Sequence, residues 1–186
     1  MLTIQTTNET KMTENMSCDI RLNSSLPAEA RAEFQDTKVI RAILAEAKTI
    51  AVVGISSDPT KPSNMVACYL QDSGYRIIPI SPKGDELLGE KVYPSLEAVP
   101  FPVDVVDCFR PSHELAALFE TAAKIGAKAV WSQLKLYDLE AGRKAKKAGL
   151  QVVMDKCIKM EHGRFGGQLH WAGMNTEVIT AQRAKR

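Results

Sequence analysis

Between Thr49 and Met154 the chain alternates five short, β-branched runs with amphipathic stretches of helical period, and few folds accept that pattern. The runs are Thr49–Gly54 (TIAVVG), Tyr75–Ile80 (YRIIPI), Val103–Phe109 (VDVVDCF), Ala127–Trp131 (AKAVW) and Leu150–Met154 (LQVVM). Continuously apolar strands of this kind are buried on both faces, and parallel strands need long crossover connections. The intervening stretches supply them. Pro62–Asp72 carries Pro in a first-turn position and Gly74 as a stop. Ser112 stands as the cap of a helix to Lys124, ended by Gly126, and Asp138–Ala148 is the next. Leu87–Pro100 reads as a loop with one helical turn at Ser95–Ala98. The expected fold is a Rossmann-like, doubly wound α/β domain: a mostly parallel five-stranded sheet with helices on both faces. In such folds a ligand lies outside the carboxyl ends of the strands, at the topological switch point.

The 186 residues suffice for one domain with short flanks. Residues 36–165 are expected to form it, opening with a helix capped by Asp36 and striped with Val39, Ile40, Ile43 and Leu44. Residues 1–35 read as a flexible polar extension. Its first 26 residues are rich in Thr, Asn and Ser, and a short helix from Pro27 to Phe34 follows. Residues 166–186 read as a basic, solvated tail. Residues 156–186 hold six basic and two acidic side chains, whereas residues 1–37 hold three basic and six acidic ones. A formal net charge of +2 does not point to nucleic acid, and no apolar run approaches the ~20 residues of a membrane span. The four cysteines form no CxxC pair and the start of the chain has no secretory pattern, so a cytoplasmic protein with reduced thiols is expected.

The segments after the strands then carry the chemistry. Gly54–Ser63 (GISSDPTKPS) contains neither GxGxxG nor a Walker loop, yet it feeds small and hydroxylic residues into a helix start. Gly54, Ser56, Ser57, Lys61, Pro62 and Ser63 could surround a phosphate there, through backbone N–H groups, the helix dipole and a mobile cation. An ordinary strand-to-helix turn has the same composition. After the second strand, Ser81, Pro82 and Lys83 stand where NAD-binding folds place a ribose-binding carboxylate. A lysine there favours a phosphorylated ribose, as in NADP or coenzyme A, over NAD. After the third, Arg110 offers a planar fork for phosphate and Phe109 a face for a base or acyl chain. The alternative is a core Phe and an Arg paired with Asp107 or Asp104. After the fourth, Gln133 could hydrogen-bond a polar ligand, and Trp131 could be a packed anchor.

No catalytic constellation emerges. His113, His162 and His170 assemble no triad, no spacing suggests a metal site, and Cys157, beside Asp155 and Lys156, reads as a structural thiol before a nucleophile.

These residues are familiar as a set. VVGISSDPTKPSNMVACYLQDSGYRIIPISPK, LLGEKVYPSL, VDVVDCFRPS, AVWSQL and GLQVVMDKCIKMEHGRF, in order over about residues 40–165, resemble the stand-alone CoA-binding domain family. That family is related to the nucleotide-binding N-terminal domain of the succinyl-CoA synthetase alpha subunit. Here Lys61 stands where members usually have Arg, Ser81-Pro82 where many have Asn-Pro, and Gln133-Leu134-Lys135 where Gln is usually followed by Gly or Ser-Gly. The resemblance implies coenzyme A, or an acyl-CoA, held by the Gly54–Ser57 loop, Lys61–Ser63, Ser81–Lys83 and Phe109–Arg110. It implies no reaction. An NADP-dependent oxidoreductase and an acyl-CoA-sensing regulatory protein are the alternatives, and a homo-oligomer or a protein partner stays open.

Overall fold

The computed structural model describes residues 24–165. In order, the elements are α1 (Ala28–Phe34), α2 (Thr37–Glu46), β1 (Thr49–Val53), α3 (Pro62–Asp72), β2 (Arg76–Ile80), β3 (Glu86–Leu87), β4 (Glu90–Lys91), β5 (Val105–Cys108), α4 (Leu115–Lys124), β6 (Ala129–Ser132), α5 (Leu139–Lys147), β7 (Gln151–Val153) and α6 (Ile158–Phe165). Five strands form one parallel sheet in the order β2-β1-β5-β6-β7. The chain runs outward from β1 to β2 and then jumps back to β5, so the switch point lies between β1 and β5. The expected doubly wound fold is the observed one.

The strands form because alternate residues enter two separate apolar layers. Ile50 and Val52 of β1 face α2, α3 and α6, packing with Ile43, Val66, Leu70 and Ile158. Ala51 and Val53 face the other way, into Phe34 of α1, Leu115 and Phe119 of α4 and Ala145 of α5. Asp36 caps α2 by accepting the Lys38 N–H at 2.7 Å, and Asp138 caps α5 through the Ala141 N–H at 3.0 Å.

Several local expectations shift. Ser112 does not cap α4. It opens a 3-10 turn over Ser112–Glu114, and its Oγ accepts the Tyr137 N–H at 3.1 Å. Within the stretch expected as a loop, β3 and β4 form a small antiparallel hairpin around Leu88 and Gly89, both at positive φ. The helical turn lies at Leu96–Ala98, as expected within a residue. α6 was not anticipated.

The larger correction concerns residues 24–35, which belong to the expected flexible extension yet are packed. Leu26, Ala30 and Phe34 are buried, with Leu26 only 1% exposed. Asp155, in the left-handed region at φ 55°, supplies the anchor: its carboxylate accepts the Ser24 hydroxyl and the backbone N–H groups of Ser25, Leu26 and Lys135. Short side-chain acceptors such as Asp tolerate that backbone region better than most residues. α1 also needs a gap in α5. A Cβ on Gly142 would come within 2.8 Å of the Met154 methyl and 2.9 Å of the Phe34 ring. Residues 1–23 and the basic tail, with Cys18 and His170, lie outside the described residues.

Candidate functional site

The carboxyl ends of β1, β2 and β5 are laced together. Gly54 N–H donates to the Ile80 carbonyl at 3.1 Å, and Phe109 N–H donates to the Val53 carbonyl at 2.9 Å. Gly54 has φ 83°, and a Cβ there would lie 2.8 Å from both the Phe109 carbonyl oxygen and the Arg110 Cδ. The first glycine is therefore required by a close crossing of two loops as well as by its backbone angle.

Beyond Gly54 the loop is braced from inside. Ser56 N–H donates to Ser63 Oγ at 3.1 Å, and the Asn64 side-chain amide donates to the Ser56 carbonyl at 2.9 Å. Ser63 and Asn64 are buried. Ser63 thus holds the loop with its side chain, and what it can offer a ligand is its backbone N–H. Pro62 occupies the first turn of α3 and Lys61 the cap position without a side-chain cap bond, its ammonium exposed.

A cavity of about 330 Å3 opens beside this loop, lined by Ser56, Ser57, Ser81, Lys83, Glu86 and Leu87 among others. Ser81 is fixed through its N–H to the Tyr93 carbonyl at 3.0 Å, and its Oγ accepts the Lys83 N–H at 3.2 Å. Ser56, Ser57, Ser81 and Lys83, drawn from the loops after β1 and β2, therefore meet around one space. Pro82 is exposed at its edge. Glu86 is a lining residue that the sequence did not nominate, because the hairpin of β3 and β4 was not anticipated. A second concavity of about 350 Å3 lies between α4 and α5, lined by Ala116, Phe119, Ala141 and Ala145, on the helices rather than on the strand-end loops.

Two nominated residues have other partners. Arg110 neither pairs with Asp107 or Asp104 nor presents a free fork: it donates through Nε and Nη2 to Glu114, both at 2.8 Å. That pair is exposed enough to exchange for another anion at small cost. Gln133 is buried and its amide donates to Asp107 Oδ1 at 2.7 Å. Burial pushes the Asp107 carboxyl up to about 7, against the opposing bond from Gln133, and Oδ2 has no hydrogen-bond partner among the described residues. Trp131 is the packed anchor: it is fully buried, with its indole N–H on the Lys156 carbonyl at 2.7 Å. Phe109 is half-buried against the α2–α3 layer.

Under α6 sits a buried ionic cluster. Glu161 lies 3.4 Å from both Lys156 Nζ and Arg164 Nη1, and all three residues are at most 5% exposed. The basic stretch from residue 156 onward reads as solvated in the sequence, yet Lys156, Glu161 and Arg164 are buried, each paired with an opposite charge. His162 meets the Tyr69 hydroxyl at 3.0 Å, and burial lowers its pKa. Among the described residues no group of three or more His, Cys, Asp or Glu could hold a metal ion, and no helix is long and apolar enough to cross a membrane.

The parallel sheet, its switch point and the polar cavity at the strand ends define a doubly wound α/β domain with an open ligand edge. Comparison gives the particular kind: the CoA binding domain family model matches residues 48–163, and the chain belongs to that family. It is 42% identical over 123 residues to the uncharacterized protein YneT of Bacillus subtilis (strain 168), covering 66% of this chain and 91% of that one. An ADP-forming acetate–CoA ligase of Methanocaldococcus jannaschii is 29% identical over a 119-residue alignment that covers 60% of this chain and only 17% of the ligase. Among solved structures, a hypothetical protein from Pyrococcus horikoshii OT3 shares 42% identity with a TM-score of 0.67, covering 70% of this chain and 92% of that one.

Proposed function

We propose that this protein is a reversible coenzyme A-binding module, taking CoA or an acyl-CoA along the carboxyl edge of β1, β2 and β5. The observation that carries the reading is the cavity lined by Ser56, Ser57, Ser81 and Lys83. Its volume of about 330 Å3 suits the nucleotide end of the ligand rather than the whole molecule. The 3′-phosphate belongs at Lys83, whose exposed ammonium is a point charge for phosphate. The diphosphate belongs at the α3 start, where the Ser63 N–H and the Lys61 ammonium add to the helix dipole. The pantetheine arm then follows the crevice between β1 and β5 past Phe109. Arg110 joins the diphosphate only by leaving Glu114, and Gln133 acts through Asp107 rather than on the ligand.

A calorimetric panel of CoA, acetyl-CoA, dephospho-CoA, NADP and NAD tests this. CoA should bind more tightly than NAD. Lys83→Glu should weaken CoA more than dephospho-CoA, by ~1–3 kcal/mol, the scale of a charge-assisted hydrogen bond. Equal or tighter NAD binding overturns the reading. NADP binding coupled to a change in nicotinamide absorbance would move it to the oxidoreductase class.

A further inference from the structure

The concavity between α4 and α5 has no role in the binding scheme, and it shares no described residue with the strand-end cavity. Phe119 and Ala145 form its buried floor, and Ala116, Ala123 and Ala148 its sides. About 350 Å3 of apolar space thus stands open on the outside of the helix layer. An open apolar concavity of this kind marks a face that meets something else. Side chains as small as alanine let another helix approach to the ~8–10 Å of packed helices.

The charges around that space are ordered. β5, β6 and β7 are parallel, so α4 and α5, which join them, both run from the carboxyl edge of the sheet to its amino edge. In α5 the acids come first, Asp138 at the cap and Glu140 in the first turn, and Lys144 follows one turn on. In α4, Glu120 likewise precedes Lys124, which ends the helix. The groove therefore has an acidic end at the carboxyl edge and a basic end at the amino edge. With three acids and two bases its rim carries almost no net charge, which suits a surface of the same composition better than a strongly acidic or basic one. Glu140 and Lys144 pair at 2.8 Å, but their side chains are 80% and 65% exposed, so that pair exchanges for others at small cost.

A surface with opposite charges at its two ends is complementary to itself when turned end for end. We propose that this groove is a self-association face. Two copies dock through it about a two-fold axis perpendicular to the helices, with α4 and α5 of one copy lying antiparallel across those of the other. The acidic end of each copy then meets the basic end of its neighbour, and the alanine-lined walls meet between them. A parallel arrangement would set acid against acid. The contact is made by helices of ten and nine residues, roughly 15 Å long, so each copy covers less than the ~800 Å2 of a standard interface. The dimer belongs to the weak, transient class, and it leaves the strand-end loops of both copies open. The proposal does not depend on what those loops bind.

Sedimentation velocity of the full-length protein from ~5 to ~500 µM, the range of weak association, tests this. Dimer should accumulate across the range, and association should weaken ~10-fold or more from low to high salt as the rim charges are screened. Lys124→Glu combined with Lys144→Glu makes the rim acidic, and Glu120→Lys combined with Glu140→Lys makes it basic. All four side chains are exposed. Each double variant alone should stay monomeric, and an equal mixture of the two should form the dimer again. Ala116→Arg, at an exposed wall position, should abolish the dimer without lowering the melting temperature. A wild-type chain that stays monomeric at the highest concentration overturns the proposal. So does a dimer that survives in either charge variant or in Ala116→Arg, since it then uses another face. Two monomeric variants that fail to combine overturn the charge-matched docking. Where a charge variant fails to fold, the Ala116→Arg result decides.

Discussion

The carboxylate of Asp155 accepts the backbone N–H of Leu26 at 3.1 Å, tying a residue 129 positions upstream to the end of β7. The same oxygen takes the Ser24 hydroxyl at 2.8 Å, and its twin takes the Lys135 N–H. One side chain thus joins the start of α1 to the loops after β6 and β7.

Asp155→Ala should therefore destabilise the protein by ~2–4 kcal/mol, since one buried and three part-buried donors lose their acceptor together. Urea unfolding checks this. Deleting residues 1–23 should leave the midpoint within the small range of a surface change, whereas deletion through Leu26 should lower it clearly.

Ser63→Ala removes the acceptor of the Ser56 N–H, although the α3 backbone keeps its own donors. The expected result is a loss of ~1–2 kcal/mol in stability together with weaker CoA binding, because the loop is no longer held. A phosphate held by backbone N–H groups alone would leave that side chain mattering little, since the main chain is unchanged. Calorimetry and melting on the same variant separate the two outcomes: unchanged binding would show that the loop holds its shape without the brace.

Gly54→Ala meets two obstacles, a φ of 83° and a Cβ 2.8 Å from the Phe109 carbonyl oxygen. It should cost more than ~1 kcal/mol and displace the Phe109–Arg110 segment. Thermal unfolding measures the first effect and CoA affinity the second.

Asp104 and Asp107 give stability opposite pH dependences. Burial would raise the Asp104 carboxyl, but Lys128 and the N–H groups of Lys48 and Thr49 outweigh it and hold the group at about 2. A depressed carboxyl stabilises above its ordinary value of 3.8, and that contribution is lost as pH falls toward 2. Asp107 runs the other way. Its folded pKa of about 7 exceeds the ordinary 3.8, so its contribution is full below 3.8 and is lost as pH rises through 7. Asp107→Asn should flatten the decline over that interval and leave the acid limb intact. Urea midpoints across the range check it, and an unchanged decline would exclude Asp107 as its source.

The sheet and the helix order were legible because β-branched runs such as TIAVVG and caps such as Asp36 are local signals. The polar rim formed by Ser56, Ser57, Ser81 and Lys83 was legible too, since each lies directly after a strand. What escaped depends on partners distant in sequence. Arg110 is claimed by Glu114 and Gln133 by Asp107, and no spacing reveals which neighbour wins. α6 hides its ionic residues inside, against the usual pattern. The packing of residues 24–35 rests on Asp155 and on the space left by Gly142.

That space has a consequence for how the chain can vary. Glycine within a helix costs roughly 0.5–1 kcal/mol relative to alanine, so an isolated α5 would favour Ala at position 142. The nearest obstacles are the Met154 methyl, the far end of a flexible side chain that can move aside, and the ring of Phe34, which cannot. Positions 34 and 142 therefore form one inheritable pair. A chain that shortens Phe34, or dispenses with α1, is released to gain a methyl and helix stability at 142, while a chain that keeps the ring is bound to glycine. Gly142→Ala alone should loosen the α1 strap, and Phe34→Leu in the same chain should recover part of the loss, making two damaging changes less harmful together than their sum.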